Sequence, residues 1–62
     1  MHCGDALKAV MARKGCSGVE LARKLGKHPQ QISRWRKQKR FSITTILSLS
    51  EALEIDPQEF LR

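Results

Sequence analysis

Two small residues spaced four positions apart, Ala22 and Gly26, constrain the fold of this chain more than any other feature. Leu21 and Leu25 make the segment before Gly26 apolar on one side. A small residue at position 22 allows a second helix to cross the first closely, and a glycine adopts the positive φ of a tight turn without a steric penalty. The spacing therefore predicts two short helices that cross closely and are joined by a tight turn.

Helix-capping residues divide the rest of the 62-residue chain into further short helices. Ser17 followed by Glu20 is a capping box, and Pro29 and Pro57 suit the first position of a helix, where a backbone N–H has no partner. Apolar residues recur at helical spacing, and no segment alternates with a period of two for long. These patterns predict an all-α, compact five-helix fold with residues 1–62 in a single domain. The expected helices cover about residues 5–14, residues 18–25, a segment from about residue 29 to the loop at 38–41, a segment after Ser42 that includes Leu53, and residues 57–61.

The third predicted helix is polar around most of its circumference. Only Ile32 and Trp35 share an apolar face, so burial of that narrow stripe must hold the helix in place. Trp35 has an alternative role, because a tryptophan can also stack on an unpaired base. Its spacing from Ile32 favours a place in the core. The fourth helix is richer in candidate core residues, which are Ile43, Ile46, Leu47, Leu49, Ala52 and Leu53.

The net charge is +6, and its distribution along the chain is uneven. Residues 8–40 hold eleven Lys and Arg against one acid, Glu20, whereas residues 41–62 hold four acids against Arg62 alone. This distribution predicts one surface that attracts a polyanion, either nucleic acid or an anionic membrane. The membrane is disfavoured because the third helix has too narrow an apolar face. Charges also interrupt the first apolar run, which excludes a signal peptide or a transmembrane helix there.

No catalytic or metal-binding set stands out among the polar side chains. The cysteines and histidines, at positions 2, 3, 16 and 28, lack the close cysteine spacing of zinc sites. No nucleophile is accompanied by a base and an orienting group. We therefore expect no enzyme activity, no metal and no cofactor. In the absence of a secretory signal we expect reduced thiols rather than a disulfide, and a cytoplasmic location in a bacterial host, close to the nucleoid.

Residues 17–40, SGVELARKLGKHPQQISRWRKQKR, resemble the helix-turn-helix of the lambda-repressor and Cro superfamily. The ELARKLG and QISRW segments are the closest matches, and SITTILSLSEALEIDPQEFL is similar to the fourth and fifth helices of that family. The resemblance covers residues 5–61. It implies a lambda-repressor-like domain with the helix-turn-helix at helices 2 and 3. It also implies a Cro/C1-type transcription regulator, a repressor of phage or prophage type, that binds a two-fold symmetric DNA operator as a homodimer.

The same resemblance implies which residues contact bases. In the family, base contacts come from the start of the third helix and from one turn later. The matching positions here are Pro29, Gln30, Gln31, Ser33 and Arg34. The chemistry agrees, because Gln can bond N6 and N7 of adenine together and Arg can bond O6 and N7 of guanine together. Pro29 has no side-chain donor, so its expected contact is apolar, as with a thymine methyl group.

Phosphate contacts are expected around these base contacts, where they position the protein without reading sequence. The expected residues are Gly18, Val19, His28, Arg36, Lys37, Lys39 and Arg40. Gly18 and Val19 would act through backbone N–H groups at the start of the second helix. Many family members carry Gln at position 18, an apolar residue at position 27, an acid at position 36 and Gly at position 38, so this chain departs from the family at all four.

The dimer surface is expected in the less charged C-terminal third of the chain. The residues assigned to it are Leu47, Ile55, Phe60 and Leu61. The alternative for the same residues is that they fill the core of one copy. A different class of function also remains open: the fold could be an antitoxin-like or adaptor module that binds a protein and has only non-specific affinity for DNA.

Overall fold

Four α-helices and one 3-10 helix form the fold in the computed structural model, which describes residues 2–61. They are α1 (Cys3–Lys14), α2 (Gly18–Leu25), α3 (Pro29–Lys37), α4 (Ile43–Leu53) and the 3-10 helix Pro57–Phe60. The residues described contain no strand. Of the five predicted helices, the first four are present as α-helices. The fifth is only a four-residue 3-10 turn, because Asp56 caps it at the N–H of Gln58 and the chain turns again at Leu61.

Side chains that accept hydrogen bonds from backbone N–H groups determine where the helices begin. The imidazole Nδ1 of His2 accepts from the N–H of Asp5, so α1 begins at Cys3, two residues earlier than predicted. The N-cap half of the predicted capping box is present, because the Ser17 hydroxyl accepts from the N–H of Glu20 at 3.1 Å. The Glu20 carboxylate accepts from that hydroxyl at 3.2 Å rather than from the backbone N–H of Ser17. Such a cap is worth about 1 kcal/mol.

The core lies where all four α-helices meet. Leu7, Leu21, Ile32 and Leu49 are its fully buried large side chains, one from each α-helix. Each contributes about 1.5–3 kcal/mol by leaving water, so the four helices stabilise one another.

Three aromatic rings extend this core towards the C-terminal end. The ring of Phe41 lies 6.4 Å from that of Trp35 and 5.8 Å from that of Phe60, between centroids and with tilted planes. Phe60 is only 2% exposed. It therefore has no free surface to offer a second copy, and its assignment to the dimer surface is corrected to the core.

The first turn of α1 is bonded to the end of α3. The backbone N–H of Cys3 donates to the carbonyl of Lys39, and that of Gly4 donates to the carbonyl of Gln38, both at 2.8 Å. A Cβ on residue 4 would overlap the Arg36 carbonyl and lie 2.8 Å from the Gln38 carbonyl oxygen. Only glycine allows the two backbones to approach this closely.

Gly4→Ala is expected to lower the free energy of unfolding by about 1–3 kcal/mol, because the added methyl group must push the α3 carbonyls away from α1. Chemical denaturation followed by circular dichroism measures the change. Gly18→Ala is the matched control, since the atoms nearest to its Cβ would belong to side chains, Nη2 of Arg36 at 3.2 Å and Cγ2 of Ile32 at 3.7 Å, and not to the backbone. Equal stability of the Gly4→Ala variant and the wild type would show that the close approach is not needed.

Candidate nucleic-acid interface

A three-residue turn, residues 26–28, sets the angle between α2 and α3. Gly26 has a left-handed φ of 67°, and the N–H of Lys27 donates to the carbonyl of Ala22 at 2.9 Å. Ala22 is buried in the core. His28 is the N-cap residue of α3, and Pro29 occupies its first turn. The small residue, the glycine and the proline thus have the roles that their spacing predicts.

One face of α3 is buried, and the opposite face is open to solvent. Ile32 and Trp35 are buried, as the sequence pattern predicts. Because successive residues are 100° apart around a helix, the face opposite this stripe is formed by residues 30, 33, 34 and 37. Their side chains, those of Gln30, Ser33, Arg34 and Lys37, are all exposed.

The structure therefore brings together most of the residues predicted to contact bases. Pro29, Gln30, Ser33 and Arg34 are exposed on one continuous surface of α3. Gln31 is half-buried and lies at the border between this surface and the core. Its side chain is consequently less accessible than that of Gln30.

A shallow, open concavity adjoins the N-terminal half of α3. Its lining residues are Gly26, Lys27, His28, Gln30, Gln31 and Arg34. Lys27 is a cation at this surface that the sequence analysis treated only as a departure from the family. The sequence feature that could have identified Lys27 as part of this surface is its position next to His28. His28 is exposed, its imidazole makes no capping bond to α3, and the residue lines the same concavity.

The predicted phosphate-contacting residues surround the exposed face of α3. Lys37, Lys39 and Arg40 are exposed at its C-terminal end and in the following loop. The two backbone hydrogen bonds from α1 hold the start of this loop in place, so its cationic side chains extend from an ordered segment. At the other side, Gly18 and Val19 form the first residues of α2.

Arg36 differs from the other cations because its side chain turns back towards α2. It is half-buried, and its Nη2 lies 3.2 Å from the place where a Cβ of residue 18 would be. The guanidinium thus covers Gly18. Sequence reasoning identified both positions as departures from the family but did not connect them, because they are eighteen residues apart.

The predicted dimer residues divide between the surface and the interior. Leu47 and Leu61 are 52% and 56% exposed, whereas Ile55 is half-buried against the core. Ile43, which the sequence placed among the core candidates, is 61% exposed. It lies four residues before Leu47, so the two side chains share one exposed face of α4. The structure thus adds Ile43 to the exposed apolar surface.

The thiols are apart from the α3 surface. Cys3 is buried, with Sγ 3.5 Å from the carbonyl oxygen of Phe60, and Cys16 is half-buried; both are free thiols.

Within residues 2–61, no three His, Cys, Asp or Glu side chains converge as metal ligands would. None of the helices described has the length and apolar character that a bilayer crossing requires.

Helices α2 and α3 are joined by a glycine turn, and α3 is buried along one stripe and polar on its exposed face. This arrangement defines the helix-turn-helix class of DNA-binding domain. The chain belongs to the Cro/C1-type HTH DNA-binding domain family, whose sequence model matches residues 6–62. No match was found among curated proteins. Membership of this family implies binding to double-stranded DNA, and domains of this kind are generally not enzymes.

Trp35 provides a test of which face of α3 meets the core. Trp35→Ala is expected to lower the free energy of unfolding by about 3–5 kcal/mol, enough to unfold much of so small a domain. Trp35→Phe is expected to stay folded and to keep its DNA affinity, since the ring fills the core and does not stack on a base. Thermal melts and fluorescence anisotropy on a labelled duplex measure the two effects. A folded Trp35→Phe protein that had lost its DNA binding would contradict this assignment.

Proposed function

We propose that this protein is a sequence-specific transcription regulator that inserts α3 into the major groove of duplex DNA. The observation that carries the proposal is the exposed face of α3, on which Gln30, Ser33 and Arg34 project away from the buried Ile32 and Trp35. An α-helix fits the major groove, where each base pair presents a distinct pattern of donors and acceptors. Membership of the Cro/C1-type family supports the same conclusion.

Base recognition is assigned to Pro29, Gln30, Gln31, Ser33 and Arg34. Gln30 and Arg34 are four residues apart and share a face, so the two can reach neighbouring base pairs together. Gln suits adenine and Arg suits guanine, and each bidentate pair contributes about 1–3 kcal/mol of discrimination. Pro29 can add an apolar contact with a thymine methyl group. A half-site with a guanine close to an adenine or thymine is therefore expected.

Phosphate binding is assigned to the cations and backbone groups that border this face. The set comprises Gly18, Val19, His28, Arg36, Lys37, Lys39 and Arg40, and the structure suggests Lys27 as an addition. The cations flank both ends of α3, so they can contact the backbone on either side of the groove. Each neutralised phosphate releases counterions, which makes binding strongly dependent on salt.

A homodimer on a two-fold symmetric operator is the assembly that we propose. One helix-turn-helix covers only a half-site, and two copies read half-sites about 34 Å apart. The exposed apolar residues of α4, Ile43 and Leu47, together with Leu61 and the half-buried Ile55, support such a contact. Repression follows most simply, because occupancy of an operator is enough to block polymerase. The proposed setting is a phage or prophage regulator in the bacterial cytoplasm.

Selection from a random pool of duplexes tests the function directly. The expected result is a palindromic consensus, bound about 10³-fold or more tightly than a scrambled duplex when anisotropy is measured at two salt concentrations. The dependence of affinity on salt should be steep on both duplexes, since phosphates contribute to both. Binding that ignores sequence, or no binding at low salt, would instead favour the adaptor module.

Two variants separate base contacts from phosphate contacts. Arg34→Ala should weaken binding to the selected duplex by about 1–3 kcal/mol and relax the preference at one base pair. Lys39→Ala should weaken binding to selected and scrambled duplexes alike and reduce the salt slope by about 0.9. Anisotropy titrations of both variants on both duplexes distinguish the two patterns. An Arg34→Ala protein with equal losses on all duplexes would remove Arg34 from the base-contacting set.

Leu47→Gln tests the dimer surface without changing charge. The expected result is an affinity for the full two-fold site about tenfold lower, corresponding to ~1.4 kcal/mol, with the affinity for an isolated half-site unchanged. Ala9→Gln, which places the same side chain at an exposed position of α1, serves as control. If Leu47→Gln weakened both duplexes equally or neither, α4 would not be the contact between copies.

A further inference from the structure

The Arg36 side chain occupies space that exists only because residue 18 is a glycine. A Cβ at position 18 would lie 3.2 Å from Nη2 and 4.0 Å from Cζ of Arg36, and 3.7 Å from Cγ2 of Ile32. The first distance is shorter than an ordinary van der Waals contact. Any side chain longer than alanine would therefore compete with the guanidinium for the same space.

The conformation of the backbone does not explain a glycine at this position. Gly18 is the first residue of α2, and the glycines with positive φ are Gly15 and Gly26. The feature that distinguishes Gly18 is the guanidinium that covers it.

Arg36 is also not used to stabilise the fold through charge. Within residues 2–61 its guanidinium has no carboxylate within 4.0 Å and makes no side-chain hydrogen bond. The acid closest in sequence to Gly18 is Glu20, whose carboxylate bonds to Ser17. The residues that follow Arg36, namely Lys37, Lys39 and Arg40, are cations as well. Arg36 is thus a half-buried residue whose guanidinium has no protein partner among residues 2–61.

We propose that Gly18 and Arg36 act as a pair in DNA binding. The missing side chain at position 18 lets Arg36 reach back from α3 to α2 and hold its guanidinium at the edge of the interface, against a phosphate of the DNA backbone. This inference rests on the proposed function. Arginine suits the role because its planar fork of donors matches a phosphate in a bidentate arrangement. Packing against Gly18 restricts the side chain before DNA arrives, which reduces the entropy lost on binding.

A double-mutant cycle tests the pair, with Arg36→Ala, Gly18→Leu and the double variant titrated against the selected duplex at several salt concentrations. Arg36→Ala should bind about eightfold more weakly at 0.1 M salt, with a salt slope lower by about 0.9, as expected for one lost phosphate contact. Gly18→Leu should show a similar loss, because leucine displaces the guanidinium and supplies no donor. The double variant should bind no more weakly than Arg36→Ala alone.

Further variants separate this pairing from simpler explanations. If leucine merely collided with the DNA, its effect would persist in the Arg36→Ala background, and additive losses would overturn the proposal. Thermal melts should show Gly18→Leu to be at least as stable as the wild type, so that lost binding does not reflect unfolding. Ala12→Leu, which adds similar bulk at an exposed position of α1, should bind normally.

Other results would also contradict the pairing. Wild-type affinity in Gly18→Leu, or an unchanged salt slope in Arg36→Ala, would overturn it while leaving the proposed function intact. A wild-type protein that binds no duplex would overturn the proposed function and this inference together.

Discussion

Burial of Ile32 and Trp35 is the interaction on which the rest of the structure depends. Helix α3 is mostly polar, and nine residues are too few for an isolated helix to be stable in water. Its two buried side chains hold it against α1 and α2, and each contributes about 1.5–3 kcal/mol through the hydrophobic effect. The same burial fixes the rotation of α3 about its axis. Because that rotation is fixed, Gln30, Ser33 and Arg34 face outward as a set.

The C-terminal end of α3 is held by contacts of a different kind. There the backbone of α1 donates hydrogen bonds to the carbonyls of Gln38 and Lys39, and Gly4 allows the close approach. These bonds satisfy carbonyls beyond the last turn of the helix, which would otherwise require water or a capping residue. They also fix the start of the loop that bears Lys39 and Arg40. Core packing thus orients the exposed face of α3, and backbone bonding orients the basic loop.

The departures from the family take on a physical meaning when they are considered in pairs. A missing side chain at position 18 and a long cationic one at position 36 are unrelated in the sequence, yet they share one space in the structure. This chain has no side chain at position 18 of α2 and a cationic one at position 36 of α3. The change raises the positive potential of the surface that we propose meets DNA.

The sequence by itself determined the presence of the α-helices, the cap at Ser17, the tight turn and the exposed face of α3, but not the cap at His2 that starts α1. These features depend on local rules: which residues accept a free N–H, which tolerate positive φ, and which recur at helical spacing. Only the tertiary structure decided that Phe60 belongs to the core, that Ile43 is exposed, and that Arg36 covers Gly18. Periodicity shows that a residue is apolar but not which neighbour covers it, and contacts between distant residues depend on how the helices pack. The sequence therefore left undecided which residues of different helices contact one another.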